Sequence, residues 1–198
     1  GARAAGSELF IGGEMGIGNT ASASAVASAL LGCPASALTG PGTGLDAAGV
    51  ARKRAVLAQA LAVNADAVEP LDALAALGGF EVAALTGAVL QAALERRVIV
   101  VDGFITSAAV LVAARLQPHI LQRCVFTHGS AEPGHALMLA QLGAQPLLNL
   151  GLRLGEGPGA GLAWPLLESA CAILREMASF ESAGGDGGPA AWAVAFSF

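Results

Sequence analysis

Val98-Ile99-Val100-Val101-Asp102-Gly103-Phe104 is the stretch on which the fold turns. Four β-branched residues without polar alternation have the pattern of a strand buried on both faces, as in a parallel sheet. The Asp-Gly turn then leads into a helix that Thr106 or Ser107 starts. The same order of strand, glycine turn and helix recurs about four times along the chain. Glu8 to Ile11 reads as a strand entering Gly12-Gly13-Glu14-Met15-Gly16-Ile17-Gly18-Asn19-Thr20. Asn19 or Thr20 can cap the following helix, Ala21 to Leu31, which Gly32-Cys33-Pro34 ends. Thr39 to Asp46 is a second glycine loop before a helix from Ala47 to Leu61, and shorter helices are expected at Leu71 to Leu77 and Phe80 to Leu94. Cys124-Val125-Phe126 reads as a strand running into Thr127-His128-Gly129-Ser130-Ala131-Glu132-Pro133-Gly134-His135, with a helix to Leu142. A short Pro146-Leu147-Leu148 segment, a turn around Glu156 and a helix from Ala160 to Met177 complete the pass. The expected fold is α/β: a three-layer, mostly parallel sheet flanked by helices, Rossmann-like. In such sheets ligands bind beyond the carboxyl ends of the strands, where all these glycine turns fall.

Composition narrows the function. The 198 residues are 55 % hydrophobic and 13 % charged, which excludes disorder and suits one domain with a real core. Abundant Ala and Gly favour close helix–sheet packing. Mean hydropathy is +0.65. The longest apolar run, Val82 to Leu94, is interrupted by Thr86, Gly87 and Gln91, short of the roughly 18–20 residues a spanning helix needs. No membrane partner is expected. A net charge of −5 and the lack of a basic, aromatic-interleaved face argue against nucleic acid. Three scattered cysteines, Cys33, Cys124 and Cys171, fit buried reduced thiols of a cytoplasmic protein better than disulfides or zinc. Residues 1–180 are expected to form the folded part, and 181–198, rich in Gly and Ala, a disordered tail. The start, Gly1-Ala2-Arg3, reads as a chain beginning in the middle of something.

Two carboxylates carry the chemistry. Glu156 lies in Leu154-Gly155-Glu156-Gly157-Pro158-Gly159, where glycines leave an acid unshielded at a helix entrance. An apolar pocket would raise its proton affinity and suit it to general-base work; the plainer role is to complement the helix dipole. Glu14 repeats the arrangement in the first glycine turn. The Gly16-to-Thr20 turn can hold a phosphate or carboxylate on free N–H groups, although neither glycine loop is a Walker A motif. Lys53 is the best cation for an anionic substrate, or else a solvated helix residue. Asp102 is placed either as an active-site residue or as a cap of the next turn. His119, His128 and His135 lack metal-ligand spacing, and a structural or capping role is favoured; no metal site is expected.

The ordered motifs Gly13-Glu14-Met15-Gly16-Ile17-Gly18-Asn19-Thr20, Gly42-Thr43-Gly44-Leu45-Asp46, Asp102-Gly103-Phe104, His128 to His135 and Leu152-Arg153-Leu154-Gly155-Glu156-Gly157 resemble the nicotinate-nucleotide–dimethylbenzimidazole phosphoribosyltransferase family of cobalamin biosynthesis. The likeness covers about residues 8 to 180 and implies a reaction. Nicotinate mononucleotide and 5,6-dimethylbenzimidazole would give α-ribazole 5′-phosphate and nicotinate, without cofactor or metal. It implies Glu156 as general base and Glu14 as an assisting acid. Met15 and Leu154 would line the benzimidazole pocket, and Gly16, Asn19, Thr20, Lys53 and Ser130 would surround the nucleotide and its phosphate. It also implies a cytoplasmic homodimer.

Two positions depart from the family pattern: Gly129 stands where Arg is usual, and Thr20-Ala21 where Thr-Thr is usual. The family's N-terminal segment, which contributes strands and part of the benzimidazole pocket, has no counterpart in these residues. The fold is therefore expected to be incomplete on its N-terminal side, and the chain alone weakly active or inactive. The alternative is a non-catalytic nucleotide- or benzimidazole-binding module that needs a separate N-terminal half.

Overall fold

The computed structural model describes residues 7–153 and 156–179. The chain divides into two compact units, residues 1–163 and 164–198. The elements in order are β1 (Leu9–Gly12), α1 (Asn19–Leu31), α2 (Ala35–Leu38), α3 (Ala47–Val63), α4 (Pro70–Leu77), α5 (Phe80–Leu94), β2 (Val98–Val101), α6 (Phe104–Leu116), a 3-10 turn (Pro118–Arg123), β3 (Cys124–Phe126), α7 (Pro133–Leu142) and α8 (Pro158–Glu176). The second unit, in its described part, is the remainder of α8 from Trp164 and the few residues after it.

The three strands pair in the order β1-β2-β3, all parallel. Leu9 pairs with Val98 and Ile99 with Cys124, which brings the carboxyl ends of the strands level. Central β2 explains its own sequence: Ile99, Val100 and Val101 are fully buried. Helices flank the sheet, so the α/β expectation holds. Helix α6 is apolar around its whole circumference, the mark of a helix enclosed on all sides, and every residue from Phe104 to Ala114 is buried. Its two buried hydroxyls bond outward from the helix, Thr106 Oγ1 donating to Gly12 O at 3.2 Å and Ser107 Oγ pairing with His135 Nε2 at 2.9 Å. Small residues let α1 lie close to its neighbours. Ser24, fully buried there, bonds Thr20 O at 2.7 Å and Leu38 O at 2.9 Å.

Several local expectations change. Helix α1 is capped by neither Asn19 nor Thr20. Gly18 is its N-cap in the left-handed region, φ 85°, and Asn19 is already helical. Gly32, φ 63°, ends the helix as its composition suggests. Helix α6 begins at Phe104, two residues before Thr106. The fourth repeat is not a strand: Pro146 to Leu148 contributes an isolated parallel bridge, His128 to Leu148, with Leu148 N–H donating to Thr127 O at 2.9 Å. Cys33 and Cys124 are half-buried and Cys171 exposed, so the expectation of buried thiols fails. The tail expected at 181–198 lies outside the described residues. No helix among the described residues is long and apolar enough to cross a membrane.

Candidate active site

Beyond the carboxyl ends of the strands lies a cavity of about 490 Å³, lined among others by Glu14, Asn19, Thr20, Lys53, His128, Ser130, Glu132, Arg153 and Glu156. Parallel pairing delivers three loops there: the first glycine turn after β1, Asp102-Gly103 after β2, and the Thr127-to-Glu132 loop after β3. The Gly40–Thr43 turn and the Glu156 loop close it. Of the residues expected at the site, Glu14, Met15, Gly16, Asn19, Thr20, Lys53, Ser130 and Glu156 line this one cavity. Leu154 lies outside the described residues.

Asp102 does not line the cavity. It is buried behind the wall at 1 % exposure, where Gly157 N–H donates to its Oδ2 at 3.1 Å and Ala160 N–H to its Oδ1 at 3.3 Å. The acid after the central strand therefore caps α8, 55 residues downstream, and not its own helix. Charge favours this: a carboxylate at a helix N-terminus answers orphan N–H groups and the positive end of the dipole. The loop bearing Glu156 is thus anchored to the middle of the sheet. Close backbone approach fixes it further. A Cβ on Gly159 would collide with the His128 ring and lie 2.8 Å from Asp102 Oδ1, so only glycine fits. A Cβ on Gly13 would lie 3.2 Å from the backbone of Glu156, which brings the two acidic glycine turns into contact.

The burial that would raise a carboxyl's proton affinity is found at Glu14, not at exposed Glu156. The Glu14 carboxyl is pushed up from 4.5 to about 7, first by desolvation and then by the charges of Glu81, Asp102 and Glu156. Asn19 Nδ2 donates to its Oε2 and offsets part of the shift. An acid poised near neutrality can both give and take a proton. Lys53 donates to Thr20 Oγ1 at 2.7 Å and to Gly40 O at 3.3 Å, with its ammonium beside the Gly16–Thr20 turn. Burial pushes its pKa below the ordinary lysine value, and the charge of Glu132 offsets part of that.

His128 of the loop after β3 and His135 in the first turn of α7 are both placed by polar contacts. His135 Nδ1 accepts from Ser130 N–H at 2.7 Å, so the ring proton sits on Nε2 and is donated to Ser107 Oγ. Burial, then His128, pushes its pKa down to about 4 and keeps it neutral. His128 Nδ1 lies 3.1 Å from Thr127 Oγ1 and 4.0 Å from Asp102 Oδ1; burial lowers its pKa and Asp102 raises it. Sequence reasoning assigns no site role to His128, Glu132 or Arg153. The signal available is their place in motifs directly after a strand or before a helix.

A second cavity, about 890 Å³, runs along β1 and α5 and shares Glu14 and Met15 with the first. It is lined also by Phe10, Ile11, Glu81, Leu85 and Ala88. Met15 is 84 % exposed and Ile11 43 %, on the open side of the edge strand.

Comparison with known proteins places the chain among relatives of one name. A relative from Variovorax paradoxus (strain S110), named nicotinate-nucleotide–dimethylbenzimidazole phosphoribosyltransferase, is 70 % identical over 172 residues, 87 % of this chain and 49 % of its own length. One of the same name from Cupriavidus necator is 61 % identical, again over 87 % of this chain and 50 % of its own length. The crystal structure of CobT from Thermus thermophilus superposes with a TM-score of 0.89 at 44 % identity, covering 94 % of this chain and 57 % of that one. The chain thus spans about half the length of the curated relatives it matches. The family model described as phosphoribosyltransferase matches residues 1–184, and the chain belongs to that family.

Proposed function

We propose that this chain provides a catalytic half-site for phosphoribosyl transfer from nicotinate mononucleotide to 5,6-dimethylbenzimidazole, giving α-ribazole 5′-phosphate and nicotinate. The observation that carries the reading is the convergence of Glu14, Glu156, Lys53 and Ser130 on one cavity at the carboxyl ends of parallel strands. Lys53, Ser130 and the Gly16–Thr20 turn take the phosphate and ribose. One benzimidazole nitrogen attacks the anomeric carbon as the bond to nicotinate breaks, its electron pair passing to the pyridine nitrogen. That pair neutralises a pyridinium, so the leaving group needs little assistance. The proton on the other benzimidazole nitrogen passes to the Glu156 carboxylate. Glu14, ionised in part near neutrality and in backbone contact with the Glu156 loop through Gly13, assists that transfer. Attack opposite the leaving group converts the β-nucleotide to the α-product. Met15 and Leu154 are assigned to the benzimidazole face. A cytoplasmic homodimer belongs to the same reading.

Glu156→Gln tests it. Product formation should fall by roughly 10²-fold or more while nicotinate mononucleotide binding is kept, because a positioned base contributes about that factor. Unchanged turnover would refute the assignment. A second reading is favoured by the open cavity along β1 and exposed Met15: a binding module that turns over only with a separate N-terminal half. On that reading wild-type and Glu156→Gln chains bind the nucleotide equally and neither forms product.

A further inference from the structure

Among the carboxylates lining the 490 Å³ cavity, Glu132 is the most deeply buried, at 4 % exposure, and the reaction gives it no task. It is the N-cap residue of α7 in position, but its side chain makes no cap hydrogen bond and reaches away from its own helix. Oε1 accepts from Gly42 N–H at 2.9 Å, across 90 residues of sequence. Oε2 is buried without a hydrogen-bond partner among the described residues. A Cβ on Gly40 would strike Oε2 and lie 2.6 Å from Pro133 Cδ, so the Gly40–Gly42 turn is packed flush against this carboxylate.

Lys53 grips the same turn. Its Nζ donates to Gly40 O at 3.3 Å and to Thr20 Oγ1 at 2.7 Å. A carboxylate thus holds the turn by an amide and an ammonium holds it by a carbonyl. A buried carboxylate oxygen with no hydrogen bond is costly unless a cation stands nearby, and Lys53 is the cation whose charge couples to it. Its other ionisable surroundings are Arg52 and Arg54 on α3 itself, Asp46 at the start of that helix, and Glu14, His128, Arg153 and Glu156 around the cavity. Arg54 is engaged with Thr39 O at 3.2 Å.

We propose that Glu132 is a positioning residue: through the Gly40–Gly42 turn it places the Lys53 ammonium at the cavity for a phosphate-bearing ligand. This rests on the cavity being the phosphate end of the proposed site. One fact makes it directly measurable: Lys53 is the sole lysine of the chain. With 13C-lysine incorporated into the full 198-residue chain, a single Cε resonance reports its titration.

The test compares wild type with Glu132→Gln, which keeps an acceptor for Gly42 N–H, and Glu132→Asp, which keeps the charge on a shorter stem. Glu132→Gln should move the Lys53 midpoint down by roughly one pH unit, the scale on which one neighbouring charge acts. Glu132→Asp should restore most of that shift. Inorganic phosphate should perturb the wild-type Lys53 signal and bind Glu132→Gln about threefold more weakly at a pH midway between the two midpoints. In wild type alone, the Gly42 amide should lose hydrogen-exchange protection as Lys53 deprotonates, a measurement that needs no variant to fold. An unmoved midpoint in Glu132→Gln, or Gly42 protection indifferent to the titration, overturns the proposal. A moved midpoint with no response to phosphate or nicotinate mononucleotide supports the coupling of Glu132 to Lys53 and refutes the proposed function instead.

Discussion

Glu14→Gln should make the protein more stable at pH 8 and leave stability nearly unchanged at pH 4. The Glu14 carboxyl titrates at about 7 in the fold against an ordinary value of 4.5. Where the folded pKa of an acid is raised, both states are protonated below the unfolded value and no penalty exists. As pH rises through that window the unfolded chain ionises first, and the fold loses stability until pH passes the folded value. A shift of this size corresponds to about 3 kcal/mol for a fully buried group. Glu14 is half-buried, and solvent screening reduces this to roughly 1–2 kcal/mol. Gln keeps an acceptor for Asn19 Nδ2, so the substitution removes the charge and little else. His135 acts in the opposite sense: its pKa is depressed to about 4, so it favours the fold above its ordinary 6.5 and costs stability as pH falls between the two. That contribution is common to both proteins and cancels in the difference. Urea and thermal unfolding from pH 4 to pH 8 measure the effect, with a gain of roughly 3–6 °C in Tm expected at the alkaline end. A variant equally stable or less stable than wild type at pH 8 would refute the argument that Glu14 is held ionised against its surroundings.

Asp102→Asn should cost roughly 2 kcal/mol, because a charged acceptor for two N–H groups becomes an amide that can accept on one side only. Since the Asp102 charge also raises Glu14, the same substitution should bring the Glu14 titration midpoint below about 7, readable by NMR. Gly159→Ala and Gly161→Ala form a pair of opposite sign. Both lie in α8, where Ala is favoured over Gly by about 1 kcal/mol. Gly161 has open space around its Cβ position and should show that gain in urea unfolding. Gly159 faces His128 and Asp102, and collision should outweigh propensity to give a net loss of roughly 1–3 kcal/mol.

The elements legible in the sequence are those whose pattern and surroundings agree. Val98 to Val101 and Cys124 to Phe126 are strands to the residue, and Phe80 to Leu94 is a helix to the residue. What sequence cannot show are partners far along the chain. Asn19 reads as a cap because it precedes an apolar run, yet its side chain is taken by Glu14 and the tight Gly18 turn begins the helix. Asp102 is marked by its place after a buried strand, but its two N–H partners lie 55 and 58 residues away. Glu132 is marked only by its place in a motif before a helix. Its importance comes from Gly42, 90 residues upstream, and no local pattern encodes that contact. The expectation that Glu156 is desolvated fails for a related reason: burial depends on what the fold lays over a loop, and the fold covers Glu14 instead.

The division between the two cavities follows from how each wall is held. On the side proposed for the phosphate, Glu132 ties Gly42, Lys53 ties Gly40 and Thr20, and His135 ties Ser130. The bonds from Glu132 and Lys53 join segments far apart in the sequence, and the His135 bond pins the start of α7 to its own loop, so hydrogen bonds restrain this wall without a ligand. Along β1 the cavity is walled by Phe10, Ile11, Leu85 and Ala88, apolar groups that no hydrogen bond can fix in place. Apolar contact is non-directional, and a wall made of it holds its shape only when another surface packs against it. Met15 stands where the two meet, lining both cavities at 84 % exposure. On the proposed function, binding of the anionic reactant would be preformed in this chain, whereas holding a benzimidazole against Glu156 would require a surface over Met15. That asymmetry is the physical ground for expecting nucleotide affinity to outlast turnover when this chain is studied by itself.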